Sequence, residues 1–226
     1  MNIKEFEKKI GYTYKNVDLL KLALIHSSYG NEVYKDKLHN NERLEFLGDA
    51  VLELTVSDYL FNKECNMPEG SLSRKRASIV CEPTLAMCAR EINLPEVLFM
   101  GKGEELTGGR FRDSIVSDAM EAVIGSIYLD GGIECARDFI NKFILNDIDS
   151  KSLFVDSKTI LQERIQTVYK DGPEYVLIGE SGPDHNKTFE AEVRIEGKII
   201  GKGIGRTKKA AEQQAAYNAI LRMEKK

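Results

Sequence analysis

Two groups of acidic side chains recur at helical spacing in this sequence. The first lies in residues 41–60, NERLEFLGDAVLELTVSDYL, where Glu42, Glu45 and Asp49 stand at positions i, i+3 and i+7. At about 100° per residue, these three side chains share an arc of roughly 60° on one helix. The cation closest to them in sequence, Arg43, points about 100° away. Clustered carboxylates without a counter-charge repel one another, and a bound divalent cation relieves that repulsion.

The same spacing is also typical of the solvated face of an amphipathic helix. Further along the helix, however, the acidic arc becomes apolar, at Leu52, Val56 and Leu60. A core-facing stripe is predicted on nearly the opposite side, formed by Leu44, Leu47, Val51 and Leu54. We therefore expect protein to enclose this helix on most sides. From spacing alone, a metal or general-acid site and a solvated face both remain open.

The second acidic group lies in residues 113–132, DSIVSDAMEAVIGSIYLDGG, where Asp118 and Glu121 share one face of a predicted helix. Gly125 continues that face one turn later, which leaves room for another element to approach. The other residues are mostly apolar, so the helix is expected to be buried, and buried acids need partners. Those partners are either Lys or Arg side chains from elsewhere or a metal ion. Carboxylates that converge from facing helices form the metal sites of helical bundles.

The elements that must position these acids form a helical domain, predicted for residues 1–148. Short helices precede the first acidic helix, and the Gly131-Gly132 pair is expected to end the second one before a last helix over 133–146. Residues 149–156 are short, polar and mixed, and we interpret them as a linker. The expected architecture of this first domain is all-α.

The pattern changes in residues 157–226. A helix over 157–169 is followed by three predicted strands: EYVLIGE, the alternating segment 189–195, and KIIGKGIG after Gly197. A final helix starts at Thr207. The order α-β-β-β-α makes the whole chain an α+β protein of two domains.

Two cations stand at the start of that final helix. The helix dipole disfavours Lys208 and Lys209 at this end, whereas a bound phosphate would be favoured there by the free backbone N–H groups. Together with Gln162, Glu163 and His185, they give the small domain three possible contact regions for a nucleic acid.

Composition describes an ordinary globular protein, with 42% hydrophobic and 30% charged residues. The net charge of −4 argues against a nucleic-acid binder, but residues 157–226 carry 13 Lys+Arg against 10 Asp+Glu, a net of +3. We expect no signal peptide, no membrane anchor and no nucleotide P-loop. The four cysteines show no CxxC pairing, which favours reduced thiols in a cytoplasmic protein.

The segment NERLEFLGDAV resembles the signature of the ribonuclease III family, and SDAMEAVIGSIYLDGG resembles its second acidic motif. Residues 157–226 resemble a double-stranded-RNA-binding domain, through GPDHNKTFEAEV and TKKAAEQQAA. The likeness covers nearly the whole chain, in the two-domain arrangement of the bacterial enzymes. It departs from the general binding-domain pattern at Glu212, where many such domains carry a third basic residue.

The resemblance implies a homodimeric, Mg²⁺-dependent endoribonuclease, with Mn²⁺ as a possible substitute, that cuts both strands of duplex RNA. It would leave 5′ phosphates, 3′ hydroxyls and a short 3′ overhang, in the processing of ribosomal RNA precursors and structured mRNA. The implied metal ligands are Glu45, Asp49, Asp118 and Glu121. Asp49 and Glu121 would be most directly tied to hydrolysis, with Glu42 positioning RNA or water. Phe46 would insert into a socket on the partner subunit.

Two other functions fit the sequence less well. A non-catalytic duplex-RNA-binding protein on the same fold should have lost acidic residues, and all of them are present here. A di-iron bundle would require Glu-x-x-His pairs, which His26, His39 and His185 do not supply.

Overall fold

A computed structural model describes residues 1–169, 171–182, 187–205 and 207–224. The chain divides into two compact units, residues 1–148 and 149–226. None of the described helices is both long and apolar enough to span a membrane.

The first unit is helical. Its α-helices are α1 (Ile3–Ile10), α2 (Val17–Ala23), α3 (Ser27–Tyr29), α4 (Glu42–Lys63), α5 (Glu69–Val80), α6 (Glu82–Glu91), α7 (Lys102–Leu106) and α8 (Asp113–Phe143). A π-helical turn at Gly30–Tyr34 and 3₁₀ turns at Leu94–Val97 and Gly109–Phe111 connect some of them. The predicted break after the second acidic motif is a kink within α8, because Gly132 has φ 83° and ψ −178°. This positive φ favours glycine, which has no Cβ to clash.

The core of this unit forms around α8, whose apolar side chains are buried on nearly every face between Ile115 and Ile127. Helix α4 packs along it. Because other helices enclose α8 between Ile115 and Ile127, a charged group in this stretch lies in or next to the protein interior. Asp118 and Glu121 of the second acidic motif lie in this enclosed stretch of α8.

The second unit contains α10 (Ser157–Gln166), β1 (Glu174–Ser181), β2 (Thr188–Ile195), β3 (Lys198–Gly205) and α11 (Lys208–Glu224). The strands form an antiparallel sheet in the order β1-β2-β3, and Glu192 pairs in register with Lys202. Helix α11 packs on the sheet where β3 carries Gly201 and Gly203, since a Cβ at either glycine would collide with the α11 backbone. The α+β fold predicted from sequence is confirmed.

The segment interpreted as a linker is largely helical. Helix α9 spans Ile148–Val155, and Leu153 packs against the core of the second unit. The ring of Phe154 lies 5.3 Å from that of Tyr217, and the Phe154 carbonyl accepts a hydrogen bond from Gln213 at 3.0 Å. Phe154 thus packs on α11, which is a tertiary contact that the polar composition of the segment does not reveal.

Candidate active site

Two glycines bring the acidic helices together. Gly48 on α4 faces Gly125 on α8, and both are buried. A Cβ at Gly48 would overlap the carbonyl oxygen of Glu121, and one at Gly125 would overlap that of Leu44. Close approach of the two backbones therefore requires glycine at both positions. As a result, acids that are more than 60 residues apart in sequence are neighbours in the fold.

Three carboxylates converge at this crossing. Oxygen atoms of Glu45, Asp118 and Glu121 lie within 4.8 Å of one another, and all three residues are half-buried. Carboxylate oxygens are the ligands that hard divalent cations prefer. The donor set and its spacing fit such a cation.

The electrostatics of the cluster also favour binding of a cation. Burial, together with the charges of Asp49, Asp118 and Glu45, raises the pKa of Glu121 to about 8. Burial likewise raises the pKa of Glu45 to about 7, with contributions from Asp118, Glu42 and Asp49. The charges that act on Glu45 and Glu121 are thus other carboxylates. A cation would stabilise the ionised forms that this arrangement disfavours. Among the residues that the structure describes, no Lys or Arg charge contributes to these two pKa values, so the ion pairs that the sequence left open do not account for these two acids.

Asp118 has two neighbours, Glu82 and His26, that the sequence analysis did not predict. Burial raises its pKa and the charge of Glu82 adds to the rise, whereas a hydrogen bond from Ser117 and the charge of His26 lower it. The His26 ring is held by Ser28, whose Oγ lies 2.8 Å from Nδ1 and accepts a hydrogen bond from the Gly101 amide at 2.9 Å. Nothing in the spacing of residues 26 and 118 could have indicated this proximity.

The two remaining acids lie at the edge of the cluster. Asp49 is exposed and is not one of the three convergent residues, although its charge raises the pKa of both Glu121 and Glu45. Glu42 is exposed in the first turn of α4, and one of its carboxylate oxygens accepts a 3.3 Å hydrogen bond from the side chain of Asn40. Asn40 is buried and also accepts from the Glu42 amide at 3.1 Å, so it holds the start of the acidic helix.

Helix α4 also presents an apolar face to solvent. Phe46 is 80% exposed, Leu54 is 62% exposed and Phe61 is 74% exposed. These three residues fall within an arc of about 80°. The prediction that Leu54 belongs to the core-facing stripe was wrong, because Gly48 marks the side of the helix that meets α8 and Leu54 lies about 120° around the helix from it. The expected enclosure on most sides is likewise absent along this face.

The second unit carries the predicted RNA-contact residues on two helices. Gln162 and Glu163 are exposed on α10, and Lys208 and Lys209 are exposed in the first turn of α11. The hydroxyl of Thr207 caps that turn by accepting from the Ala210 amide at 3.0 Å. His185 lies outside the described residues.

Both units match models of known families. The model described as Ribonuclease-III-like matches residues 16–148, and the Double-stranded RNA binding motif matches residues 157–223. Ribonuclease 3 of Listeria monocytogenes serovar 1/2a is 49% identical over 222 residues, covering 97% of each chain. Ribonuclease 3 of Staphylococcus aureus strain JH9 is 48% identical over 226 residues, covering 98% of this chain and 93% of the relative.

Solved structures of ribonuclease III nuclease domains are similar to the first unit. The nuclease domain of ribonuclease III from Campylobacter jejuni is 44% identical, with a TM-score of 0.60, and the match covers 63% of this chain and 96% of that one. That structure is described as showing structural flexibility in the region involved in dimer formation. A second structure of the same domain gives a TM-score of 0.59.

Proposed function

This chain belongs to the ribonuclease III family, and from that premise we propose that it cuts both strands of double-stranded RNA in a Mg²⁺-dependent reaction. It is an endoribonuclease, and its family is metal-dependent. The products would carry 5′ phosphates and 3′ hydroxyls with a short 3′ overhang. The cellular substrates we propose are ribosomal RNA precursors and structured mRNA, in the cytoplasm.

The observation that carries this proposal is the convergence of Glu45, Asp118 and Glu121, whose oxygens lie within 4.8 Å. These residues would hold the Mg²⁺, with Mn²⁺ as a substitute and with Asp49 completing the ligand set from the edge of the cluster. The bound ion would activate a water, stabilise the leaving 3′ oxygen and neutralise phosphate charge.

The protein's own groups have separate tasks. Glu121 and Asp49 would orient the attacking water, and the contribution of the Asp49 charge to the raised pKa of Glu121 supports this pairing. Glu42 would position the RNA or a water through the carboxylate oxygen that does not accept from Asn40. Gly48 and Gly125 set the distance between the two ligand-bearing helices.

We assign RNA binding to residues 157–226 and catalysis to residues 1–148. Lys208 and Lys209 would contact phosphates, with further contacts from Gln162, Glu163 and His185. The first unit would form a homodimer through the face that contains Phe46. Exposure of a large aromatic ring beside carboxylates, with other apolar residues on the same face, supports this interface.

The test is cleavage of a fully paired RNA duplex whose strands carry different 5′ labels. We expect both strands to be cut in Mg²⁺ and in Mn²⁺, and no cutting after chelation with EDTA. Mapping of the ends should give 5′ phosphates and offset nicks. Tight binding of the duplex without cleavage at any Mg²⁺ concentration would instead favour a non-catalytic RNA-binding protein.

A further inference from the structure

An ion pair in the second unit joins helix α10 to helix α11. The ammonium group of Lys158 on α10 lies 2.6 Å from a carboxylate oxygen of Glu212 on α11. The same ammonium lies 4.4 Å from the centre of the Tyr175 ring on β1. One lysine is therefore held from two sides, by a charge–charge contact and by a cation–π contact.

The two partners are not equally accessible. The Lys158 side chain is 40% exposed, whereas that of Glu212 is 26% exposed. An ammonium group has three N–H donors, and the contact with Glu212 occupies one of them. Lys158 is thus the outward member of the pair, and it keeps donors available for another acceptor. Most lysines lose side-chain entropy when they bind a phosphate, but here the fold has already ordered the side chain.

The Lys158–Glu212 pair lies between the two helix faces that carry proposed RNA-contact residues. Residues four apart lie on the same face of a helix, so Lys158 shares a face of α10 with Gln162. By the same rule, Glu212 shares a face of α11 with Lys208. The Lys158–Glu212 contact therefore joins the face of Gln162 to the face of Lys208, and these are the two helical surfaces to which we assign RNA binding.

We propose that Lys158 is a phosphate contact for duplex RNA, ordered in advance by Glu212 and Tyr175. This inference rests on the proposed RNA-binding role of the second unit. A glutamate one turn after Lys208 would by itself repel a nearby phosphate. Lys158 cancels that charge and supplies a cation at the same place from a different helix.

Tyr175 contributes through its ring. Its hydroxyl is buried and, among the described residues, has no hydrogen-bond partner. The useful feature of this residue is consequently the aromatic face beneath the ammonium. Tyr175→Phe should leave RNA affinity unchanged, whereas Tyr175→Leu should weaken it, because Leu offers no π face.

The decisive variant is Lys158→Met combined with Glu212→Gln. It removes one positive and one negative charge, so the net charge is unchanged and the Glu212 carboxylate is not left unpaired. Binding is measured by filter retention of a duplex of about 20 base pairs, longer than the roughly 16 that such a domain spans. The full chain is used, with Glu121→Gln added to every protein so that the RNA stays intact, and circular dichroism melts check folding.

We expect the double variant and Lys158→Met alone to bind more weakly. Removal of one phosphate-binding cation should lower the slope of log affinity against log salt by roughly 0.9, if the B-DNA coefficient transfers to RNA. The affinity change between 50 and 200 mM salt should then be roughly threefold smaller than for the parent protein. Lys158→Arg, which keeps the charge, should retain the slope.

Lys198→Met is the matched control. Lys198 is exposed at the start of β3, roughly 23 Å along that strand from the end that leads into α11. The variant Lys198→Met removes the same charge at the end of β3 that lies away from the start of α11, so the slope should not change.

Three results would overturn the inference. If Lys158→Met weakens binding but adding Glu212→Gln restores it, Lys158 only neutralises Glu212 and does not contact RNA. If neither variant alters the slope while Lys208→Ala with Lys209→Ala lowers it, the phosphate site on α11 stands without Lys158. If that lysine pair has no effect either, α11 is not the phosphate site, and the role of Lys158 falls with it.

Discussion

Gly48 and Gly125 face each other so closely that a Cβ on Gly125 would lie 3.1 Å from the backbone nitrogen of Gly48. The crossing of α4 and α8 leaves no room for any side chain at this point. Since Glu45 and Asp49 flank one glycine and Glu121 precedes the other by one turn, the geometry of the candidate metal site depends on this contact.

Gly125→Ala should therefore destabilise the protein. The added methyl group meets the Leu44 carbonyl and must push the helices apart, and such overpacking costs about 1–3 kcal/mol. The free energy of unfolding is measured with urea, and Mg²⁺ affinity should fall as well. Gly70→Ala on α5 is the control, because nothing lies within 4 Å of a Cβ there and stability should be equal or slightly higher. Equal stability of Gly125→Ala and the parent would show that the crossing is not tight.

Glu121→Gln should abolish detectable cleavage at millimolar Mg²⁺ while the fold, the dimer and RNA binding persist. The amide keeps the size of the side chain but removes the negative charge that would hold the ion. Glu134 lies on the same helix, is exposed and pairs with Arg137 at i,i+3 outside the acidic cluster. The cleavage rate of Glu134→Gln should therefore match that of the parent. Near-normal turnover by Glu121→Gln would contradict the proposed metal site.

Stability without metal should fall as the pH rises. The pKa values of Glu45, about 7, and Glu121, about 8, lie above the ordinary glutamate value of 4.5. Between the unfolded and folded pKa values, the folded state binds more protons than the unfolded state, so the free energy of unfolding decreases with pH. A protein with both residues changed to Gln should lack this component.

The measurement compares urea unfolding of the parent and this double variant at pH 5.5 and pH 8.5 in EDTA. The parent should lose stability relative to the variant at the higher pH. Addition of Mg²⁺ at pH 8.5 should restore the parent and leave the variant unchanged. An identical pH dependence for both proteins would mean that burial and the neighbouring carboxylates do not raise the pKa values of Glu45 and Glu121 in the fold.

Phe46→Ala should weaken the dimer. Truncation of a large, central aromatic residue in an interface typically costs 2 kcal/mol or more, which is about 30-fold in the dissociation constant. Sedimentation equilibrium gives that constant directly. Val168→Ala in the second unit, where the side chain is 75% exposed, is the control and should dimerise like the parent. An unchanged constant for Phe46→Ala would place the interface elsewhere.

Lys208→Ala combined with Lys209→Ala should weaken binding about equally for unrelated duplex sequences. Duplex RNA is recognised mainly by shape and backbone, so the weaker hold on its phosphates should carry no sequence preference. The salt slope should fall by roughly 0.9 for each phosphate that is no longer bound, again using the B-DNA value. Filter binding of two unrelated duplexes over a salt series provides the measurement. A drop in affinity confined to one duplex would indicate base readout instead.

The sequence alone was enough to predict the two acidic helices, the all-α first unit and the α-β-β-β-α second unit. These features depend on short-range periodicity, which is written into neighbouring residues: alternation in 189–195 marks a strand, and Glu42, Glu45 and Asp49 share a face at helical spacing. The family motifs added an expectation for chemistry. None of this required knowledge of which helix faces which.

Long-range packing decided the rest. The convergence of Glu45 with Asp118 and Glu121, and the raised pKa values that follow from their burial, exist only because α4 crosses α8 at two glycines. Tertiary contacts also determined three features that the sequence did not predict. These are the exposure of Leu54, the effect of the His26 charge on Asp118 and the Lys158–Glu212 ion pair. Helical periodicity predicts which residues share a face of a helix, but it does not predict which other element packs against that face.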